Sequence, residues 1–147
     1  MDSPLFELKN SSDLFKKAKW NFSKLNQLIN SYDLFDCLCT LNHVPDWIKN
    51  DPHSATLTSE VETIQRKPIV DATRKLCNRA KHFDAFAPKT NMQFGYGAGR
   101  YGVGAFGTGE PSYEVEVAGQ TMGVLDLIQH VIQEWEKFFI SHGFYDC

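Results

Sequence analysis

The sequence predicts a mainly α-helical protein, a bundle of four or five helices in which a glycine- and aromatic-rich loop and a small β element precede the last helix. Apolar side chains recur every three or four residues through most of the 147-residue chain, as they do on the buried face of a helix. Seven glycines crowd residues 94–111, and glycine at this density opposes helix. Residues 112–118 then alternate polar and apolar side chains, which is the period of a strand.

The first half of the chain predicts two long helices and a shorter one. Residues 11–30 combine an apolar stripe with lysines on the opposite side. Residues 32–49 have a wider apolar face, but Pro45 lacks the amide hydrogen that a helix interior needs, so we expect a kink or an end over residues 41–44. Residues 56–67 fit a short third helix. Short connections between these elements favour antiparallel neighbours.

The second half predicts two further helices. Residues 68–83 begin with Pro68, which suits a first helical turn because the amide hydrogen there has no helical partner. Residues 123–142 carry one continuous apolar stripe, with Asp126 in the first turn, where the helix dipole favours an acid. Residues 119–120 lead either into a short partner strand or directly into this helix. The predicted core contains Leu14, Leu25, Leu28, Leu34, Leu38, Leu41, Leu76, Ala80, Val124, Leu127, Ile128, Val131, Trp135 and Phe138.

Length and composition predict one domain, residues 1–147, into which the loop and strand of residues 94–120 are inserted. The net charge of −3 argues against the strongly basic surface that duplex DNA requires. No apolar run approaches the ~20 residues of a membrane span, and the N-terminus lacks the basic and apolar segments of a secretion signal. We therefore expect a cytoplasmic protein without a membrane span.

Neither a metal site nor a cofactor is predicted. The four cysteines show no CxxC spacing, so the pattern of a zinc site is missing and reduced thiols are expected. His43, His82 and His142 are the histidines from which a three-histidine metal site would be built, but they lie far apart in the sequence. Residues 97–102 match GxGxxG, yet a strand rather than a helix follows, which excludes a dinucleotide-binding fingerprint.

The predicted helix 68–83 carries the strongest candidate for chemistry. Asp71, Arg74, Asn78 and His82 follow one another at spacings of three, four and four, and therefore share one ridge. An imidazole transfers protons near neutral pH, and a guanidinium stabilises a phosphate and its transition state. Metal-free cleavage of RNA requires little more, because the 2′-hydroxyl of the substrate is the nucleophile.

Two further observations bear on this ridge. Lys81 adds a cation beside it, which fits an anionic ligand. The alternative is purely structural: Asp71 pairs with Arg74 or Lys75 on a solvated face, and His82 caps the helix end. The sequence leaves both interpretations open.

The glycine-rich loop is a second candidate site. Its aromatic residues Tyr96, Tyr101 and Phe106, together with Arg100, form a possible stacking platform for a nucleic-acid base. The alternative is that the same rings pack the loop onto the helical bundle.

The ridge-bearing helix resembles the helix that carries Arg and His in the HEPN group (higher eukaryote and prokaryote nucleotide-binding domains). HEPN proteins are helical bundles in which four to six residues separate the Arg from the His, often with a polar residue just after the Arg. Seven residues separate Arg74 from His82 here, and Lys75 follows the Arg. The chain is also similar to uncharacterised small bacterial or phage helical proteins in its KHF segment and its final WxxFFxxHG segment.

The HEPN resemblance implies a metal-independent endoribonuclease of a toxin–antitoxin, antiphage or anti-defence system, usually with an active site shared across a dimer. It implies that His82 transfers protons, that Arg74 clamps the phosphate and that Asn78 orients the substrate. Asp71 and Lys81 would assist in binding single-stranded RNA or a nucleotide. We leave open whether the protein is an enzyme.

A second hypothesis is a non-enzymatic interaction protein, such as an antitoxin, an inhibitor or a ligand sensor. It would bind a protein partner through the glycine- and aromatic-rich loop and the last helix. On that helix Trp135, Phe138 and Phe139 either complete the core stripe or anchor a homodimer interface, because rings of this size are common interface anchors.

Overall fold

The computed structural model describes residues 8–82, 90–93 and 112–144. Within these ranges the chain is mainly helical, with a small antiparallel sheet before the last helix, and this confirms the predicted fold class. A single 3-10 turn, Ala55–Leu57, precedes the third helix. The elements in chain order are α1 (Ser11–Gln27), α2 (Ser31–Asn50), α3 (Thr58–Gln65), α4 (Pro68–His82), β1 (Thr90–Gln93), β2 (Ser112–Val117), β3 (Gln120–Gly123) and α5 (Val124–Ser141).

Asparagine side chains set the starts of the two long N-terminal helices. The side-chain oxygen of Asn10 accepts a hydrogen bond from the amide of Asp13 at 2.9 Å, and Asn30 does the same for Asp33 at 2.9 Å. Each bond satisfies an amide that has no partner within the helix, which is the role of an N-cap. The two caps therefore fix where α1 and α2 begin.

The apolar stripe of α5 is the centre of the core. This helix contacts α1, α4, β2 and β3. Trp135 and Phe139 are fully buried, and the ring of Phe15 on α1 stacks on Phe139 with 5.0 Å between centroids. Phe138 is 2% exposed and meets Phe139 edge to face. The large rings of α5 thus belong to the core of their own chain, and Ile140 remains as an exposed apolar side chain of this helix.

The sheet has the order β1-β2-β3 and is antiparallel throughout. Val115 and Val117 of β2 are buried against the helices. The turn from β2 to β3 consists of Ala118 and Gly119, whose φ angles are 51° and 82°. Positive φ at both positions matches the right-handed twist of the strands, and only glycine adopts it without strain. Of the two alternatives for residues 119–120, the chain therefore forms the short partner strand, β3. The strand β1 was not predicted by the sequence pattern.

One of the two alternatives for Pro45 is excluded, and two predicted core residues are corrected. Pro45 does not end α2, which continues to Asn50, because Val44 and Ile48 on either side of it are fully buried and their packing offsets the lost hydrogen bond. Leu28 is 54% exposed rather than in the core, because α1 ends before it and its extended backbone turns it out of the stripe. Leu34 is only partly buried.

The remaining predicted core residues are buried wherever the structure describes them. The side chain of Ala80 lies outside the described part of the chain. Phe15, which the sequence pattern missed, is among the largest fully buried side chains. Across residues 8–82, 90–93 and 112–144, none of the helices combines the length and the apolar character that crossing a membrane requires.

We expect Phe15→Ala to lower the free energy of unfolding by about 3–5 kcal/mol, because it removes a buried ring stacked on Phe139 and leaves a cavity. Chemical denaturation followed by far-UV circular dichroism measures this loss. Tyr32→Ala is the matched control, since this aromatic side chain is 88% exposed, and we expect a change within about 0.5 kcal/mol. Equal losses in the two variants would contradict the assigned core.

Candidate functional site

The two faces of α4 have opposite character. Leu76 and Cys77 are buried, and the helix contacts α2 and α5. Asp71, Arg74 and Lys75 lie on the other side and are partly exposed. The apolar contacts of one face therefore fix the direction in which the charged face points. We call Asp71, Arg74 and Lys75 the α4 charge cluster.

Asp71 is the centre of the α4 charge cluster. Its Oδ1 accepts hydrogen bonds from Nη2 of Arg74 at 2.8 Å and from Nε of Arg74 at 3.2 Å. Its Oδ2 lies 2.9 Å from Nζ of Lys75. One carboxylate thus holds two cations, as the structural alternative for this helix expects, and the cluster retains one unit of positive charge.

Burial alone would raise the pKa of Asp71, but the hydrogen bonds and the charges of Arg74 and Lys75 outweigh it and hold this pKa below its ordinary value. The carboxylate therefore stays ionised at neutral pH. The side chains of Arg74 and Lys75 are 48% and 46% exposed, so water or an anionic ligand reaches both cations.

The other residues of the predicted ridge are described unevenly. Asn78 is half-buried, one turn beyond Arg74. The α4 backbone continues as helix to His82, which places that position on the same ridge as Asp71 and Arg74. The side chains of Lys81 and His82 lie outside the described part of the chain.

The second predicted site falls wholly on residues that the structure does not describe. Tyr96, Arg100, Tyr101 and Phe106 belong to residues 94–111, so the stacking platform stays a prediction.

Two concave regions flank the α4 charge cluster. An open groove of about 470 Å³ runs between the start of α4 and the β2–β3 turn, and its charged lining consists of Arg66, Asp71, Lys75 and Glu116. This volume lies within the range of small-molecule sites. On the opposite side, Arg74 borders a cavity of about 20 Å³. That cavity has room for about one water molecule, so a nucleotide would have to bind from the groove or from the exposed face.

The small cavity also borders Trp135, whose indole Nε1 is buried and has no hydrogen-bond partner among the described residues. Polar side chains of Asn42, Gln65 and Thr73 line the same cavity. The cavity next to Arg74 therefore has polar groups in its lining, which the apolar stripe of α5 did not predict.

An exposed apolar patch near the α1–α2 connection was missed by the sequence pattern. Trp20, Leu28, Tyr32 and Phe35 are 58%, 54%, 88% and 43% exposed. Lys24 joins the two helices there, because its Nζ lies 4.4 Å from the ring centroid of Trp20 and 3.3 Å from Oδ1 of Asp33. The signal in the sequence was that Trp20 and Tyr32 lie outside the apolar stripes of their helices.

The histidines considered for a metal site have other surroundings. His43 is exposed on α2, and Nε2 of His142 lies 2.8 Å from Oε2 of Glu60, which links the end of α5 to α3. In the described ranges, no group of three or more His, Cys, Asp and Glu side chains is arranged to hold a metal ion.

Comparisons of the chain with protein-family models, with characterised proteins and with solved structures give no match. The resemblance to the HEPN group therefore rests on the residues of α4 alone.

We expect the double variant Arg74→Ala, Lys75→Ala to raise the pKa of Asp71, because both groups that lower it are removed. Carbon-detected NMR titration of the side-chain carboxyls measures the change. Asp33 is the internal control, since a hydrogen bond from Asn30 and the nearby Lys24 lower its pKa on a different helix.

The stability that the low pKa of Asp71 confers on the wild type is fully present above the pKa of an unfolded aspartate. It is lost as the pH falls through the lowered folded value. The difference in unfolding free energy between wild type and double variant should therefore narrow in that acidic window. An unchanged pKa of Asp71 in the variant would show that Arg74 and Lys75 do not pair with it in solution.

Proposed function

We propose that the protein binds single-stranded RNA along the basic face of α4, as a HEPN-like module of a bacterial or phage conflict system. The observation that carries this proposal is the local charge. Residues 66–82 contain six basic residues and one acidic residue, although the whole chain has a net charge of −3. Asp71, the one acid, is shared by Arg74 and Lys75, and Lys67 pairs with Glu134 of α5 at 2.7 Å. Counted with both of these carboxylates, the six basic residues of the segment still leave a positive surplus.

The dimensions of α4 suit a short anionic polymer. A helix of 15 residues is about 22 Å long, which is enough for contacts with several successive phosphates. Arg66 and Lys75 line the open groove beside the helix, and Arg74 is partly exposed next to it. Cations in this arrangement release counterions from the nucleic acid when they bind it, which favours association and makes it sensitive to salt.

The Asp71–Arg74 ion pair does not prevent Arg74 from binding a phosphate. Exposed ion pairs of this kind contribute only roughly 0.2–1 kcal/mol. A phosphate that accepts two hydrogen bonds from the guanidinium replaces the carboxylate by a comparable partner. We therefore expect Asp71 to hold Arg74 extended over the surface in the free protein and to release it when RNA binds.

Cleavage is the further step of the same proposal. His82 would take the proton from the 2′-hydroxyl as its oxygen bonds to phosphorus, the bond from phosphorus to the 5′-oxygen would break, and the 5′-oxygen would take a proton from water. Arg74 would neutralise the phosphorane and Asn78 would orient the phosphate. All three positions lie on one ridge of α4, so a strand bound along the helix would pass each of them.

We expect the variant Arg74→Ala, Lys75→Ala to bind fluorescein-labelled single-stranded RNA at least tenfold more weakly than wild type, as measured by fluorescence anisotropy. The slope of the logarithm of its binding constant against the logarithm of the salt concentration should be shallower by about 1.4, which is the contribution of two phosphate contacts on a single strand. Lys16→Ala is the control, since this lysine is exposed on α1, whereas α4 packs against α2, α3, α5 and β2. Equal weakening in the control would contradict binding along α4.

The same RNA, incubated with the protein in EDTA and analysed by gel electrophoresis, tests cleavage. We expect His82→Ala to abolish cutting while the far-UV circular dichroism spectrum and RNA affinity stay close to those of wild type. Cutting by His82→Ala at the wild-type rate would exclude the catalytic role. A wild-type protein that binds RNA and leaves it intact would restrict the function to binding.

A further inference from the structure

Two cysteine thiols from different helices meet between α2 and α4. The Sγ atoms of Cys39 and Cys77 are 3.0 Å apart, although 38 residues separate them in the sequence. A disulfide requires an S–S distance of about 2.05 Å. The two sulfurs therefore need to approach by only about 1 Å to form a covalent bond.

The two thiols differ in their access to solvent. Cys77 is fully buried, whereas Cys39 is partly exposed. An exposed thiol beside a buried one is the arrangement in which the first cysteine meets the oxidant and the second resolves the product. Zinc-site and CxxC patterns do not include this pair, because its members come from separate helices.

We propose that Cys39 and Cys77 are a redox-active pair that a peroxide converts into an intramolecular disulfide. The sulfur of Cys39 attacks one oxygen of hydrogen peroxide and the O–O bond breaks. This step gives a sulfenic acid on Cys39 and one water, which carries the thiol proton. The sulfur of Cys77 then attacks the sulfenic sulfur, the S–O bond breaks, and the second water leaves with the proton of Cys77. Two thiols thus lose two electrons and two protons, and one peroxide is reduced to two waters.

Cys37 lies two residues from Cys39 but takes no part. Burial, reinforced by the charge of Asp36, raises the pKa of Cys37 to about 12, so its reactive thiolate is scarce. Its Sγ faces the carbonyl oxygen of Ala18 on α1, at 3.9 Å, on the other side of α2. The chain therefore contains its own negative control.

The disulfide would tie α2 to the helix that carries the α4 charge cluster. Closing a chain segment of this length removes entropy from the unfolded state, so the oxidised protein should melt roughly 5–10 °C higher than the reduced one. This inference does not depend on RNA binding, since neither thiol belongs to the proposed RNA-binding face.

Mass spectrometry of the wild-type protein tests the proposal directly. After treatment with hydrogen peroxide, we expect a monomer whose mass is lower than that of the reduced protein by two hydrogen atoms. Alkylation under denaturing conditions should then modify only two of its four cysteines. Trypsin should then release the peptide of residues 76–79 linked to that of residues 25–49, with fragment ions that place the link at Cys39. Reduction should restore four alkylated cysteines and the lower melting temperature.

Two variants identify which thiols form the link. Cys37→Ala should form the link as wild type does. Cys39→Ser should not form it while keeping a native far-UV spectrum, because the replaced side chain is partly exposed. Peroxide-treated protein in which all four cysteines are still alkylated, or in which Cys77 is joined to Cys37, would overturn the proposal.

Discussion

The burial of the α5 stripe is the constraint on which the other elements depend. Phe139 stacks on Phe15 of α1 and meets Phe138 edge to face, while Trp135 is wholly enclosed. Fully burying one side chain of this kind contributes roughly 1.5–3 kcal/mol, which exceeds the contribution of any exposed ion pair in the molecule. Apolar contacts with α5 thus place α1, α4 and the sheet, and α2 packs in turn on α1 and α4.

The orientation of α4 is the consequence that matters for function. Its apolar face is fixed against α2 and α5, so Asp71, Arg74 and Lys75 must point outward. Asp71 then holds the side chains of Arg74 and Lys75 in place, because its carboxylate stays ionised at neutral pH. One negative charge does not neutralise two cations fully. Since exposed ion pairs are weak, the cluster combines a defined resting geometry with a low cost of rearrangement. A surface with these two properties suits a ligand that carries several negative charges.

The sequence predicts local features well and non-local ones poorly. The helical period and the first-turn residues Pro68 and Asp126 identified α5 and the charged ridge of α4, because both depend on side chains within a few residues of each other. The sequence left open whether Pro45 kinks or ends α2. The helix continues to Asn50, and the burial of Val44 and Ile48 beside Pro45 is a tertiary effect that no local pattern shows. The pairing of β1 with β2 and the contact between Cys39 and Cys77 join segments about 20 to 40 residues apart, and no local pattern encodes them. Helical spacing placed Asp71 and Arg74 on one ridge of α4, whereas the pairing of Asp71 with Arg74 and Lys75 together needed coordinates.

The most direct test of the central claim is to follow the arginine side chains by NMR as RNA is added. The chain has four arginines, so their Nε–H signals are few, and Arg74→Lys assigns one of them. We predict that a short single-stranded RNA shifts the Arg74 signal and those of the α4 backbone, while signals of the exposed patch at Tyr32 and Phe35 stay in place. An unchanged Arg74 signal, with shifts confined to that patch or absent everywhere, would contradict a role for the basic face of α4.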